Sequence, residues 1–332
     1  MNDHYTPPLL SPEKQEKAYI HRTVNFCGWL LLATKGVQLI LSFVLQWLGA
    51  LGVLDLAHPS YGLSNTTYEL LNMLFYVLFL PATAIAVVLI TKNRTAPFPT
   101  GKVKGWLFLS LFLGGMGLAI LSNVATSYVL QFLQGFGIEP PTFSQSADGS
   151  TTGLWLGILS TAVLPALAEE MVFRGYILGT LRPFGDKTAL VISAVLFGLF
   201  HGNITQCIFA TFVGLIFGLA VIKTDSIWPA VAIHFGNNLM SVLLDHFGTT
   251  SGIDVGILTS IVFAVVAAGG VVGLTALLIR DNGGTGKEEL LRPTGNGGKT
   301  CLTARNRVHA VLTAPAMVAA WALLIYLLVV SL

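Results

Sequence analysis

The sequence predicts an all-α protein, a polytopic bundle of transmembrane helices, and three observations support this fold class. Of the 332 residues, 54% are apolar and only 10% are charged, whereas a soluble domain carries about 25% charged residues. The mean hydropathy is +0.74, and apolar stretches long enough to span a bilayer recur along the chain. No alternation of apolar and polar residues repeats as a transmembrane barrel requires. These features exclude a soluble enzyme and a disordered chain.

Nine stretches are candidates for transmembrane helices, each of which needs about 20 predominantly apolar residues. The fifth stretch is short, so eight spans are the alternative count. In chain order, the nine stretches are residues 25–54, 67–91, 105–134, 154–182, 187–202, 204–222, 226–246, 254–279 and 309–332.

The positions of lysine and arginine predict the orientation of these spans. Of the 18 basic residues, all but Lys35 and Arg174 fall in the N-terminal segment or in alternate loops and span ends. Cytoplasmic loops carry an excess of lysine and arginine. We therefore expect a cytosolic N-terminus and, with nine spans, a C-terminus on the opposite side.

The chain divides into four parts. Residues 1–24 are polar and lack the early apolar core of a signal peptide, so we expect a cytosolic tail. Residues 25–148 hold the N-terminal transmembrane helices, and 149–246 hold the core with the candidate catalytic residues. Residues 247–332 hold the C-terminal helices with a connector at 281–308 that is rich in glycine and charge, which indicates a cytosolic loop.

Charge and cysteine content narrow the possible partners. The net charge is only +2 and the basic residues are spread thinly, so we expect no nucleic-acid partner. Three cysteines do not suffice for a disulfide framework or a cysteine-based zinc site. We expect a lipid bilayer around the protein.

Ionisable groups inside predicted spans are costly, and they mark functional or paired sites. Three spans bring such groups to a similar depth. At about 1.5 Å per helical residue from the nearest cytosolic charge, Glu169, His201, His234 and Asn238 lie about 14 to 21 Å deep. A single water-filled cavity open to the cytosol would explain this agreement. The residues are Glu169, Glu170, Arg174, His201, His234 and Asn238, with Lys35 and Asn123 as outliers in other spans.

Helix periodicity relates these residues. Glu170 and Arg174 are four residues apart and share one face, which predicts a charge pair. Glu169 is rotated by about 100° from Glu170, so we expect it to face elsewhere, with no cation nearby. His234 and Asn238 are also four apart and point the same way.

A carboxylate and an imidazole together can activate water for hydrolysis. A neutral histidine and an asparagine amide one turn apart can donate hydrogen bonds to a developing oxyanion. The set therefore predicts hydrolysis of an acyl bond, most plausibly a peptide, inside the membrane.

Other interpretations of the same residues stay open. A lone intramembrane histidine or asparagine commonly bonds a neighbouring helix, and Glu170 with Arg174 can be a structural pair. Alternatively, Glu169, Glu170, His201 and His234 could hold zinc, as in a metal-dependent protease.

Three motifs carry a resemblance to a known family. EEMVFR at residues 169–174, FGLFH at 197–201 and HFGNN at 234–238 occur in order, each in an apolar span. Together they resemble the Glu-Glu-x-x-x-Arg, Phe-x-x-x-His and His-x-x-x-Asn motifs of the CAAX-processing and bacteriocin-processing membrane endopeptidases. The resemblance covers residues 155–245.

The resemblance implies a glutamate-dependent intramembrane endopeptidase without an essential metal. It implies that Glu169 and His201 activate water. It implies further that His234 and Asn238 form the oxyanion hole. Glu170 and Arg174 would support the site. Eukaryotic members of that family cut the last three residues from prenylated proteins, and others are linked to bacteriocin processing or self-immunity. A multi-pass protein of the cell membrane is expected, with its site open to the cytosol. We expect a membrane-associated protein or peptide as substrate, and no cofactor.

Two further functions remain as alternatives. A non-catalytic immunity or scaffold protein of the same fold would use the cavity for binding alone. A proton-coupled carrier would use glutamate and histidine as a relay. The clustering of the polar groups in spans four, five and seven disfavours a carrier.

Overall fold

The computed structural model describes residues 11–55, 62–91, 98–138, 149–282 and 301–332. These residues are predominantly helical and contain no β-strand; a single isolated bridge joins Thr100 to Ser226. The predicted all-α transmembrane bundle is confirmed, and each of the nine predicted stretches lies on helix.

Ten helices are described, and two of them, α2 and α4, contain wider π-helical turns. The π-helical stretches are Phe75–Phe79, Ile158–Val163 and Met171–Leu178. The helices are α1 Pro12–Ala50, α2 Thr66–Ile90, α3 Gly105–Gln134, α4 Thr151–Phe184, α5 Asp186–Phe200, α6 Ile204–Thr224, α7 Trp228–Thr250, α8 Val255–Asn282, α9 Ala304–Leu312 and α10 Pro315–Val330.

Local sequence signals set several helix starts. The Ser150 hydroxyl accepts a hydrogen bond from the Gly153 amide at the start of α4 (2.9 Å), and the Asn203 side chain accepts one from the Gln206 amide at the start of α6 (2.8 Å). Such caps satisfy backbone amides that have no partner within the helix. Proline in the first turn opens α1, α7 and α10, where its missing N–H is not needed.

Six helices in the described part of the chain are long and apolar enough to cross a membrane: α1, α2, α3, α4, α6 and α8. The pair α9 and α10, bent by 64°, would make a seventh. Helix α5 has 15 residues and measures about 22 Å, less than the hydrocarbon thickness of about 30 Å. The protein is therefore a multi-pass membrane protein, while nine spans and a cytosolic N-terminus stay predictions.

Helix ends fall inside two of the predicted segments. Within the predicted tail 1–24, α1 begins at Pro12 and buries Ile20 and Val24. Within the predicted connector 281–308, α8 runs to Asn282 and α9 begins at Ala304. Residues 283–300 of that connector and 1–10 of the tail lie outside the described residues. The four-part division of the chain stays a prediction.

The core of the bundle lies around α4, α5, α6 and α7. Phe173, Phe197 and Phe217 are among the largest fully buried side chains, and α5 packs closely along α6. Glycine permits this approach, since a Cβ on Gly198 would lie 2.5 Å from the Cys207 carbonyl oxygen. Small residues let transmembrane helices approach each other in the same way elsewhere.

The outer helices enclose this core. Helix α3 packs along α8, and α1 packs along α10. The Asn25 side chain accepts a hydrogen bond from the Ala316 amide (2.9 Å), which joins the first and last helices. Helices α1 and α2 reach the core from the side of α4 that carries the two glutamates.

Candidate active site

Glu170 and Arg174 form a fully buried ion pair on α4. Arg174 Nη1 donates to Glu170 Oε1 at 2.9 Å, and both side chains have zero exposure. The pair spans the junction between the α-helical stretch Leu164–Glu170 and the π-helical stretch Met171–Leu178. The predicted contact between residues four apart is therefore present.

Arg174 also links α4 to two other helices. Its Nη2 donates to the Gly214 carbonyl on α6 (3.2 Å). Its guanidinium lies over the Phe197 ring of α5 (4.3 Å) and the Phe217 ring of α6 (5.0 Å). A buried cation needs such compensation, and a carboxylate, a carbonyl and two ring faces supply it. We call Glu170, Arg174, Phe197 and Phe217 the Glu170 cluster.

His234 on α7 lies between the two glutamates. Its Nδ1 is 2.9 Å from Glu170 Oε1, and its Nε2 is 4.0 Å from Glu169 Oε2. The imidazole stacks on Phe217, with ring centres 5.2 Å apart. The expectation that Glu169 faces away from Glu170 is therefore wrong. Glutamate side chains are long enough to converge on a ring that enters from a neighbouring helix.

His201 stands directly after α5 and caps its C-terminus. Its Nδ1 pairs with the Phe197 carbonyl (2.8 Å), which leaves Nε2 for other contacts. The Phe197 ring packs edge-to-face with both imidazoles, and its centre is 5.0 Å from that of His201 and 6.0 Å from that of His234. His201 is within electrostatic range of Glu169 and His234.

Asn238 lies one turn beyond His234 on α7. Its Nδ2 donates to the Thr161 carbonyl on α4 (2.9 Å), and its Oδ1 accepts from Asn237 (3.1 Å). An amide nitrogen carries two hydrogens, so one N–H of Asn238 remains for a ligand. The contact with Thr161 also fits the interhelical interpretation that the sequence left open.

Two residues that the motifs do not include reach Glu169. The Tyr76 side chain of α2 lies within electrostatic range of the Glu169 carboxylate. Lys35 of α1 is 5% exposed and lies within electrostatic range of the same carboxylate. The expectation that no cation lies near Glu169 is therefore wrong, because Lys35 comes from a helix distant in sequence. We call Lys35, Tyr76, Glu169 and His201 the Glu169 cluster.

Sequence signals for these two residues were weak. Lys35 was visible as a charge inside an apolar span, but nothing indicated its neighbour. Tyr76 gave no signal, since tyrosine is ordinary in a membrane helix.

The π-helical stretches coincide with the site. Phe75–Phe79 contains Tyr76, Ile158–Val163 contains the carbonyl that binds Asn238, and Met171–Leu178 contains Arg174. A π-helical turn inserts one residue and rotates the side chains beyond it, and such turns are frequent at functional sites.

The described residues do not form a metal site. No group of three histidine, cysteine, aspartate or glutamate side chains in the described ranges is arranged to hold an ion. Glu170 and His234 are bonded to each other, and Glu170 also to Arg174. The zinc alternative does not fit this donor set, so we derive no step through a metal.

An apolar groove of about 380 Å³ lies between α3, α7 and α8. Gly236, Met240 and Phe247 line it from α7. By helix periodicity these positions are on the face of α7 opposite His234 and Asn238. The groove is therefore separate from the two clusters.

The region that contains the three motifs matches a known protein family. Residues 151–240 match the family described as type II CAAX prenyl endopeptidase Rce1-like. The chain resembles the CAAX-processing membrane endopeptidases. A relative in Bacillus subtilis (strain 168), "Putative membrane peptidase YdiL", is 27% identical over 143 residues. That match covers 39% of this chain and 57% of the relative, so the chain spans little more than half of the relative's length. No solved structure matches.

The endopeptidase-like region contains all six motif residues. Lys35 and Tyr76 lie outside residues 151–240, on helices that the family match does not cover. The candidate site therefore combines residues inside the family match with two residues outside it.

Proposed function

We propose that this protein is an intramembrane endopeptidase that hydrolyses a peptide bond of a membrane-associated substrate. One observation carries the proposal: two adjacent buried glutamates have different partners. Glu170 is bonded to Arg174 and His234, whereas Glu169 stands beside the Nε2 edge of His234 and in electrostatic range of His201. A carboxylate next to imidazoles in a buried site is suited to remove a proton from water.

The reaction begins with a water molecule held by Glu169 and His201. Glu169 takes a proton from the water while the oxygen forms a bond to the scissile carbonyl carbon, whose π electrons move to the carbonyl oxygen. The carbon–nitrogen bond then breaks, and the proton passes from Glu169 to the leaving nitrogen. The products are a new carboxyl terminus and a new amine.

His234 and Asn238 stabilise the oxyanion. The contact between Nδ1 of His234 and Glu170 Oε1 orients the ring, so that Nε2 lies on the side of Glu169. An N–H at Nε2 is the first donor to the oxyanion. The free N–H of Asn238 is the second donor.

A prenylated protein is the substrate class that the matching family's description names. We propose such a substrate here, presented at the cytosolic side of the cell membrane. The lysine and arginine distribution supports the cytosolic side.

The test is cleavage by the full chain reconstituted in proteoliposomes. Two quenched fluorescent peptides are offered, identical except that one carries a farnesyl group on a cysteine four residues from its C-terminus. We expect cleavage of the farnesylated peptide that is lost in Glu169→Gln and His201→Ala and unaffected by a chelator. Cleavage unchanged in Glu169→Gln would overturn the proposal, and loss with a chelator would favour a metal-dependent protease.

A non-catalytic immunity or scaffold protein is the second candidate. It is favoured by the observation that Arg174, His234 and Asn238 each bond a neighbouring helix, as structural residues do. The two candidate functions are distinguished by comparing the termini of membrane peptides from cells that carry the wild-type chain and from cells that carry Glu169→Gln. If Glu169→Gln still protects the cell and the peptide termini do not change, the non-catalytic function is supported.

A further inference from the structure

Lys35 is a buried lysine inside the apolar helix α1, and the proposed reaction does not use it. The residue is 5% exposed. From Arg22, the preceding charged residue of α1, the helix rises about 20 Å to Lys35. An ionisable side chain at such a depth in a membrane is costly, and it indicates a functional or paired group.

The side chain of Lys35 contacts neutral groups. Its Nζ donates to Gln38 Oε1 on the next turn of α1 (2.7 Å) and lies 4.2 Å from the centre of the Phe200 ring on α5. In the described ranges of the chain, no aspartate or glutamate forms a salt bridge with it. An ammonium has three donors, so two N–H groups remain for an anion.

The Lys35 ammonium lies beside the turn that positions a proposed catalytic residue. Phe200, whose ring it contacts, is the last residue of α5, and His201 follows it directly as the C-cap. The backbone next to both residues is open, because a Cβ at Gly36 or at Gly202 would meet no other atom within 4 Å. There is thus room for a ligand beside Lys35 and beside His201.

The depth of Lys35 favours one kind of anion. Lipid phosphates lie at the membrane surface, which an apolar stretch of α1 separates from Lys35. A peptide that enters the site carries its terminal carboxylate with it. An extended residue spans about 3.3 Å, so the carboxylate of a substrate cut three residues from its end lies about 10 Å beyond the cleaved bond.

We propose that Lys35 binds the C-terminal carboxylate of the substrate and thereby selects chains that are cut close to their C-terminus. The inference rests on the proposed function and deepens it, because it names the substrate group that is recognised. It assigns this recognition to α1, which lies outside the family match at 151–240. A charge-assisted hydrogen bond between ammonium and carboxylate supplies the selectivity.

The experiment compares two farnesylated quenched peptides that differ only at the C-terminus, which is a free carboxylate in one and an amide in the other. The full chain is reconstituted in vesicles of phosphatidylcholine, so that no anionic lipid competes for Lys35. Values of kcat/KM are measured for the wild type, Lys35→Met and Lys35→Arg. Lys14→Met, at the exposed start of α1, is the matched control.

We expect the wild type to prefer the free carboxylate by about 10- to 100-fold in kcat/KM, which is the range for a hydrogen bond to a charged group. In Lys35→Met, kcat/KM for the carboxylate peptide falls to that for the amide peptide, which changes little. Lys35→Arg keeps a preference for the carboxylate, and Lys14→Met matches the wild type. An equal loss for both peptides in Lys35→Met would instead assign Lys35 to packing at the end of α5.

A second measurement does not depend on turnover. Fluorescence anisotropy follows the binding of the two peptides, labelled with a dye, to Glu169→Gln in phosphatidylcholine nanodiscs, with empty nanodiscs as the blank. We expect the carboxylate peptide to bind about tenfold more tightly or better than the amide. The difference should disappear in the double variant Glu169→Gln with Lys35→Met.

The outcomes separate this inference from the proposed function. If the wild-type chain cleaves neither peptide, the proposed function fails, and the binding measurement still decides whether Lys35 recognises a carboxylate. If Glu169→Gln abolishes cleavage but the wild type cleaves and binds both peptides equally, this inference alone is overturned.

Discussion

The two clusters differ although Glu169 and Glu170 are adjacent in sequence. In the Glu170 cluster, the carboxylate is paired with the Arg174 guanidinium, which lies over two aromatic rings, and the ion pair has zero exposure. In the Glu169 cluster, the carboxylate is 4.0 Å from His234 Nε2 and lies within electrostatic range of Lys35 and Tyr76. The comparison indicates that the partners of a carboxylate, and not the residue type, separate the structural role proposed for Glu170 from the reactive role proposed for Glu169.

Glu169→Gln is expected to have the largest effect. Removal of a general base lowers kcat by about 10² to 10⁴, while the neutral amide keeps the size of the side chain. The protein should therefore fold with an unchanged thermal midpoint in detergent. Measurement of kcat and of thermal unfolding on one preparation checks this, with Glu170→Gln for comparison. Equal loss of activity and stability in both variants would remove the distinction between the clusters.

Arg174→Met is expected to act on stability first. It leaves the Glu170 carboxylate buried without its cation, and breaking a buried pair costs about 3 to 5 kcal/mol. Thermal or denaturant unfolding and yield from membranes measure the loss. The double variant Glu170→Gln with Arg174→Met should recover part of it, since no unpaired charge remains. A single variant as stable as the wild type would show that the Glu170 cluster is not a structural anchor.

Asn238→Ala tests whether Asn238 acts in catalysis or in helix packing. Loss of an oxyanion donor lowers kcat by about 10² to 10³, whereas loss of one interhelical hydrogen bond in a membrane costs about 0.6 kcal/mol. We expect the large kinetic effect with a small change in unfolding. Reversed effects, with normal turnover and a clear loss of stability, would assign Asn238 to helix packing.

Tyr76→Phe is expected to have the smallest effect of the four, a fall in kcat of about tenfold. It removes one oxygen atom from α2 and leaves the aromatic packing in place. Measurement of kcat with the farnesylated quenched peptide in proteoliposomes checks it, with Tyr128→Phe, exposed on α3, as control. If the Tyr76 hydroxyl is irrelevant, the Glu169 cluster reduces to Lys35 and to groups within residues 151–240.

Much of the site could be predicted from local sequence. The contact between Glu170 and Arg174 follows from a spacing of four on one helix, and it is present at 2.9 Å. The three motifs fall in the region of the family match. Both predictions use short spacings or apolar periodicity, which the chain carries locally.

Two expectations about Glu169 were wrong for the same physical reason. Glu169 was expected to face away from Glu170, but His234 enters between the two from α7. Glu169 was expected to lack a cation, but Lys35 reaches its surroundings from α1. Side chains from distant helices decide both features, and helix periodicity contains no information about which helices become neighbours.

By itself the sequence determined that the chain crosses a membrane as helices, because lipid offers no partners for backbone amides and apolar runs of this length must satisfy them internally. It also indicated the residues for which we propose a chemical role. Only the tertiary structure decided that Glu170 is bonded to Arg174 and His234 while Glu169 lies within electrostatic range of Tyr76 and Lys35. Those partners come from other helices, and the packing of helices selects them.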